Sequence, residues 1–158
     1  ASFELLVRRS LTSIPPLFEQ LGYRAIIEQR NHTSIIEATV KVRVKGQEML
    51  TVSEGDGPVD ALDGALRRAL LPFYPELESL RLTDYKVRVV NGQEATAAKV
   101  RVHVETSDGT DLYSTIGVSE NIVEASWNAL VDAVEFGLLR RHWSRPASAP
   151  AAPLGGNA

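Results

Sequence analysis

The three histidines, His32, His103 and His142, fall on a predicted turn, a strand and a helix end, and none has a second ligand at a metal-binding spacing. They read as surface or packing residues. The chain has no cysteine, which excludes a disulfide framework and a thiolate zinc site. Ser53 and Ser119 stand near the starts of two predicted helices. Neither lies in a G-x-S-x-G elbow, and no His and acid follow in an order that would activate a nucleophile. No Asp or Glu is marked by its pattern as a buried acid or base, so the acidic residues read as solvated faces.

The segment Glu54-Gly55-Asp56-Gly57-Pro58-Val59-Asp60 is more informative. Gly55 and Gly57 leave no side chain to obstruct a ligand, and Pro58 suits a first helical turn, where its missing N–H is no loss. The free N–H groups of that turn and the helix dipole favour an anion the size of a carboxylate. On composition alone a plain strand-to-helix turn is the better reading of the segment. Asn121, with Glu124 three residues on, has the form of a capping box, a structural device.

Basic residues alternate with valine in Lys41-Val42-Arg43-Val44-Lys45, Lys86-Val87-Arg88-Val89 and Lys99-Val100-Arg101-Val102-His103. Such faces could track phosphates. The solvated side of a half-buried antiparallel sheet needs the same alternation, and no aromatics interleave to stack bases. Nucleic acid is therefore not expected as a partner.

These residues need elements to place them. The period switches twice from two to 3.6 along the chain, strands followed by a helix each time. In the first pass, 23–30, 36–45 and 48–53 read as strands, and a helix follows from Pro58 to about Leu71 with Val59, Leu62, Leu66 and Leu70 on one stripe. In the second pass, 81–90, 97–106 and 112–118 read as strands, with turns at Asn91-Gly92 and Ser107-Asp108-Gly109, and a helix runs from Ile122 to about Arg140. The passes match in residues. Tyr23-Arg24 corresponds to Tyr85-Lys86, Lys41–Val44 to Lys99–Val102, and Pro58–Leu66 to Ile122–Leu130.

The second helix is apolar around most of its circumference, with a narrow polar seam at Glu124, Asn128, Asp132 and Glu135, so it must be covered on two sides. The fold class expected is α+β: duplicated βββα units with pseudo-two-fold symmetry, two three-stranded antiparallel sheets packed with two helices. Residues 1–22 read as an N-terminal helical linker whose Leu17–Leu21 forms a short helix closed by Gly22. Residues 23–143 form the domain, in repeats 23–76 and 77–143, and the Ala/Pro/Gly-rich 144–158 reads as a disordered tail.

With 158 residues, 17 Lys plus Arg against 20 Asp plus Glu and 44% apolar content, the chain is long enough for one core without a staple. No apolar run reaches the ~20 residues of a membrane span. The start Ala1-Ser2-Phe3-Glu4 has no initiator Met and no signal-peptide pattern, so the chain reads as a soluble piece of a longer protein with no membrane partner.

Gly55–Pro58, Leu82-Thr83-Asp84-Tyr85-Lys86-Val87-Arg88-Val89 and Gly117–Trp127 together resemble a known module. They are similar to the C-terminal regulatory domain of citramalate and 2-isopropylmalate synthases, in the family that includes homocitrate synthases. The resemblance covers about residues 3–140, and its wording at Asp84–Arg88 and Glu124–Trp127 is closer to the citramalate branch. It implies a cytoplasmic homodimer that binds an end-product amino acid between the two units near the dimer interface and inhibits a catalytic barrel of the same chain. Isoleucine is the implied effector and leucine the alternative. A purely structural dimerisation module is the competing reading.

Carried over by motif, the effector site would use Gly55, Gly57, Val59, Asp60, Leu82, Tyr85, Val89, Thr96, Ala98 and Ile122. Catalytic and metal-binding residues are expected only in the barrel, with its divalent metal and acetyl-CoA. No cofactor is expected here, and the chain alone should be inactive. Leu82 and Val89 are seven apart and lie on opposite faces of a regular strand, so both can serve only if a bulge or twist near Tyr85 intervenes.

Overall fold

The computed structural model describes residues 1–11, 16–90 and 98–144. Helix α1 (Ser2–Leu11) precedes strands β1 (Glu19–Arg30), β2 (Thr33–Val44) and β3 (Gln47–Gly55), which form one antiparallel sheet in the order β1-β2-β3. Helix α2 (Pro58–Leu70) and a 3-10 turn (Pro75–Ser79) lead to β4 (Arg81–Val90), β5 (Lys99–Ser107) and β6 (Leu112–Ser119), a second sheet in the order β4-β5-β6. Helix α3 (Ile122–Ser144) follows. This is the duplicated βββα architecture. Of the expected tail 144–158, Ser144 is instead the last residue of α3, and 145–158, like the Asn91-Gly92 turn, lie outside the described residues.

Alternation decides which face of each sheet is dry. In β2, Ala38, Val40, Val42 and Val44 are buried while Lys41 is exposed, and in β5 Val102 and Val104 are buried between exposed Arg101 and His103. Helix α2 lies on β2 and β3, and α3 lies on β5 and β6. The helices also meet each other, so the core is one layer of helices with sheets around it. Helix α3 buries Ala125, Trp127, Leu130, Val134 and Leu138, which agrees with its apolar circumference. Leu5 of α1 is fully buried, and the Ser2 hydroxyl accepts from the Ile116 N–H at 3.0 Å, which docks α1 on the edge strand β6.

Two glycines are required by the closeness of helix and sheet. A methyl at Gly117 would collide with the Ala125 carbonyl, and one at Gly55 would sit 2.5 Å from the Ala61 nitrogen. Threonines repeat the stitch in both units: the Thr51 hydroxyl donates to the Ala65 carbonyl at 2.6 Å, and the Thr115 hydroxyl to that of Ala129 at 2.7 Å.

Two sequence expectations are corrected. Leu17–Leu21 is not a helix: Leu17 and Phe18 form a bend, and β1 begins at Glu19. Burial of Phe18 and the pairing of Glu19 with Arg43 and Gln20 with Val42 outweigh a short helix that would have had little of its own to hold it. Gly22 lies within β1, where the register shifts between Gln20 and Gly22.

The second correction concerns the match of Lys41–Val44 with Lys99–Val102, which is out of register. Tyr23 pairs with Val40 and Tyr85 with Val104, so with the threonine stitches Val40 corresponds to Val104, Lys41 to Glu105 and Glu37 to Arg101. Two alternating strands of period two can be slid past each other by an even number of residues without disturbing the pattern, and the sequence match took the wrong slide.

Candidate effector site

The register of β4 shifts between Leu82 and Asp84, a bulge that supplies the irregularity the spacing required. Leu82 pairs with Thr106, Tyr85 with Val104, Val87 with Val102 and Val89 with Val100. Because Thr106, Val104 and Val102 are buried, Leu82, Tyr85, Val87 and Val89 all stand on the core-side face of the second sheet. β4 is an edge strand, and α3 covers its neighbours. The face therefore becomes a partly open shelf, with Tyr85 36%, Val87 41% and Val89 64% exposed.

The start of α2 meets this shelf. Gly57 precedes the helix in an extended conformation (φ −150°), Pro58 takes the first helical position, and the Ala61 N–H bonds the Gly57 carbonyl at 3.1 Å. No side chain caps this end. The N–H groups of Val59 and Asp60 thus lack the cap a helix start commonly has, and Asp60 is in the first turn, half-buried. A methyl at Gly57 would lie 3.5 Å from the Tyr85 hydroxyl, so the bare glycine and that hydroxyl border the same space.

The equivalent end of α3 differs. Asn121 accepts from the Val123 N–H at 2.8 Å, the Ser119 hydroxyl donates to Glu124 at 2.8 Å, and Ser119 accepts from the Asn121 N–H at 3.1 Å. Glu124 thus turns to Ser119 instead of closing a reciprocal box. Tyr23, the counterpart of Tyr85, stacks on Trp127 with ring centroids 4.9 Å apart, and the Trp127 indole N–H donates to Gln20 at 2.7 Å. Burial, with the nearby Glu124 carboxylate, pushes the Tyr23 phenol above its ordinary range. This end is capped and filled.

In α2 the position of Trp127 belongs to Asp63. Arg67 holds it by both carboxylate oxygens, at 2.9 and 3.0 Å, and also donates to the Leu77 and Leu80 carbonyls at 3.1 and 2.5 Å. Burial raises the Asp63 pKa despite this partner. Arg67 thereby ties α2 to the entry of β4, and among the described residues nothing the size of an indole covers Tyr85, which is 36% exposed.

The sequence-predicted residues are distributed as follows. Gly57, Leu82, Tyr85 and Val89 share the shelf and its border. Gly55 is packed against α2, and Val59 is buried beneath the first turn. Ala98 is exposed just before β5, next to the face of Val100, and Thr96 lies outside the described residues. Ile122, 38% exposed, is the first residue of α3. Val87 was not among the residues singled out, although its place two residues from Tyr85 and Val89 on an alternating strand marks it. Among the described residues, no group of three or more His, Asp or Glu is placed to hold a metal ion. No described helix is long and apolar enough to cross a membrane.

Two βββα units around a helix-covered core, one helix start capped and the other uncapped, define a duplicated α+β domain. The chain belongs to the family of LeuA allosteric (dimerisation) domains, which it matches over residues 1–138. It is 47% identical over 142 residues to an (R)-citramalate synthase of Aquifex aeolicus, covering 89% of this chain and 27% of that protein. To the (R)-citramalate synthase of Streptomyces coelicolor it is 49% identical over 144 residues, again 89% and 27%. A 2-isopropylmalate synthase of Clostridium kluyveri is 29% identical over 131 residues, 83% of this chain and 23% of that protein. The chain thus spans about a quarter of the length of the curated relatives it matches.

Proposed function

We propose that this chain is the feedback-sensing domain of an (R)-citramalate synthase, which condenses pyruvate with acetyl-CoA in the cytoplasm, and that isoleucine is its effector. The observation that carries the reading is the uncapped start of α2 beside the open shelf of β4. The amino acid's carboxylate takes the free N–H groups of Val59 and Asp60, where the helix dipole favours negative charge. Its branched side chain lies on Leu82, Tyr85 and Val89, and its ammonium lies towards the Asp60 carboxylate and nearby carbonyls. A catalytic barrel in the same polypeptide would read the binding event.

Dimerisation belongs to the same reading. Val87 and Val89 on β4 and Ile27, 73% exposed, on β1 are apolar, poorly covered and on core-side faces, the kind of surface a second copy would bury. The relatives support the citramalate branch by their higher identity. Leucine is the second reading, favoured only by the more distant match, and a methyl group placed differently alters such binding by ~1–3 kcal/mol.

The test is thermal melting together with size measurement, each with and without millimolar isoleucine. A dimer whose melting temperature rises with isoleucine is expected. A dimer that responds to neither isoleucine nor leucine would leave only the structural module.

A further inference from the structure

The opposite face of the second sheet carries an arrangement that neither folding nor effector sensing requires. On β4 and β5 the outward positions pair as Lys86 with His103, Arg88 with Arg101 and Val90 with Lys99. Five of these six residues are basic, and all five are exposed. Arg88 stands directly opposite Arg101, a like-charge cross-strand pair that destabilises a sheet. Lys86, Arg88, Lys99 and Arg101 have no ion-pair partner among the described residues.

The first sheet shows that this is not a need of the fold. Its corresponding pairs are Arg24 with Thr39, Ile26 with Glu37 and Glu28 with Ile35, which reverses the balance of charge. Its other cations are neutralised: Arg43 by Glu19 at 2.7 Å and Glu48 at 3.0 Å, Lys41 by Glu48 at 3.6 Å, and Arg30 by Glu28 at 2.7 Å. One copy of the unit has balanced its outer face, and the other has gathered positive charge in a chain of net charge −3.

We propose that the outer face of β4 and β5 binds a small polyphosphate-bearing metabolite. The surface there is concave, about 250 Å³, with Lys86, Arg88, Arg101 and His103 in its lining and Asp84 and Glu105 closing one end. Paired guanidiniums suit phosphate oxygens, since each presents a planar fork of donors. The acidic end limits how far a polyanion can run along the strands. His103 and Tyr85 are the rings in this lining, beside the three cations Lys86, Arg88 and Arg101, so recognition rests mainly on phosphate. The site shares β4 with the effector shelf, and Tyr85 lies in its lining, but its cations come from the opposite face, and it stands whether or not isoleucine is the effector.

The experiment is calorimetric titration of the chain with tripolyphosphate and with orthophosphate at low ionic strength. Saturable binding of tripolyphosphate, at least tenfold tighter than orthophosphate and weakening as salt rises, is expected. In the Arg88→Gln/Arg101→Gln variant the affinity should fall at least tenfold while the melting temperature holds or rises, because the repulsion is gone. Lys86→Gln, farther from the central pair, should weaken binding with the fold untouched. Arg24→Gln on the first sheet should leave binding as it was. Absence of saturable binding would overturn the proposal, as would equal weakening by Arg24→Gln. Tighter binding of a single-stranded RNA or of polyglutamate than of tripolyphosphate would assign the face to a different partner and overturn it too.

Discussion

Tyr23 and Tyr85 follow equivalent bulges in the two units and end differently. Tyr23 is sealed under Trp127, whereas Tyr85 borders bare Gly57. Tyr85→Ala should therefore weaken isoleucine binding about tenfold or more and leave the melting temperature nearly unchanged, since the ring is already partly in water. Calorimetry beside a melt checks both. Trp127→Leu removes the stack and the bond to Gln20 from a fully buried site and should cost about 3 kcal/mol in denaturant unfolding. The need for a bulge was legible from the spacing of Leu82 and Val89. The role of Gly55 was not, because the atoms that forbid a side chain there belong to Ala61, reached only when α2 folds back.

At the scale of elements, one carboxylate makes two of the bonds that shape the turn from β5 to β6. Asp108 accepts from the N–H groups of Thr110 at 2.9 Å and Asp111 at 2.7 Å, and these bonds lower its pKa. A carboxyl whose pKa is lower in the folded state contributes stability that is present above its unfolded value and is lost as pH falls through the folded one. Asp108→Ala should thus cost about 1 kcal/mol at neutral pH, and its difference from the parent should shrink below about pH 4. Parallel unfolding curves at several pH values measure this. The helix–sheet contact is less forgiving: Gly117→Ala drives a methyl into the Ala125 carbonyl and should cost about 3 kcal/mol. The six strands and the helices α2 and α3 were legible because hydrophobic period marks them, while the start of β1 was not, since pairing with β2 and not local preference decides it.

Across the whole molecule the two units share an architecture and divide its uses. Duplication was visible in the repeated wording of α2 and α3, but the register of β2 against β5 was not, because period-two strands look alike at every even offset. That slip concealed the reversal of charge between Glu37 and Arg101, which appears only when the strands are paired. The difference between the helix starts was partly legible: Asn121 announced a cap at α3, and Gly57-Pro58 announced none at α2. Dimerisation should be tested at this scale. Val89→Glu, on the exposed shelf, should shift the chain toward monomer in sedimentation, while Val52→Glu on the outer face of the first sheet should not.

The account depends most on the open niche at the start of α2. Calorimetric titration with isoleucine, leucine and valine reads it directly. One saturable isoleucine site per chain, with leucine and valine weaker, is predicted; two sites per chain, or no binding of any of the three, would contradict it.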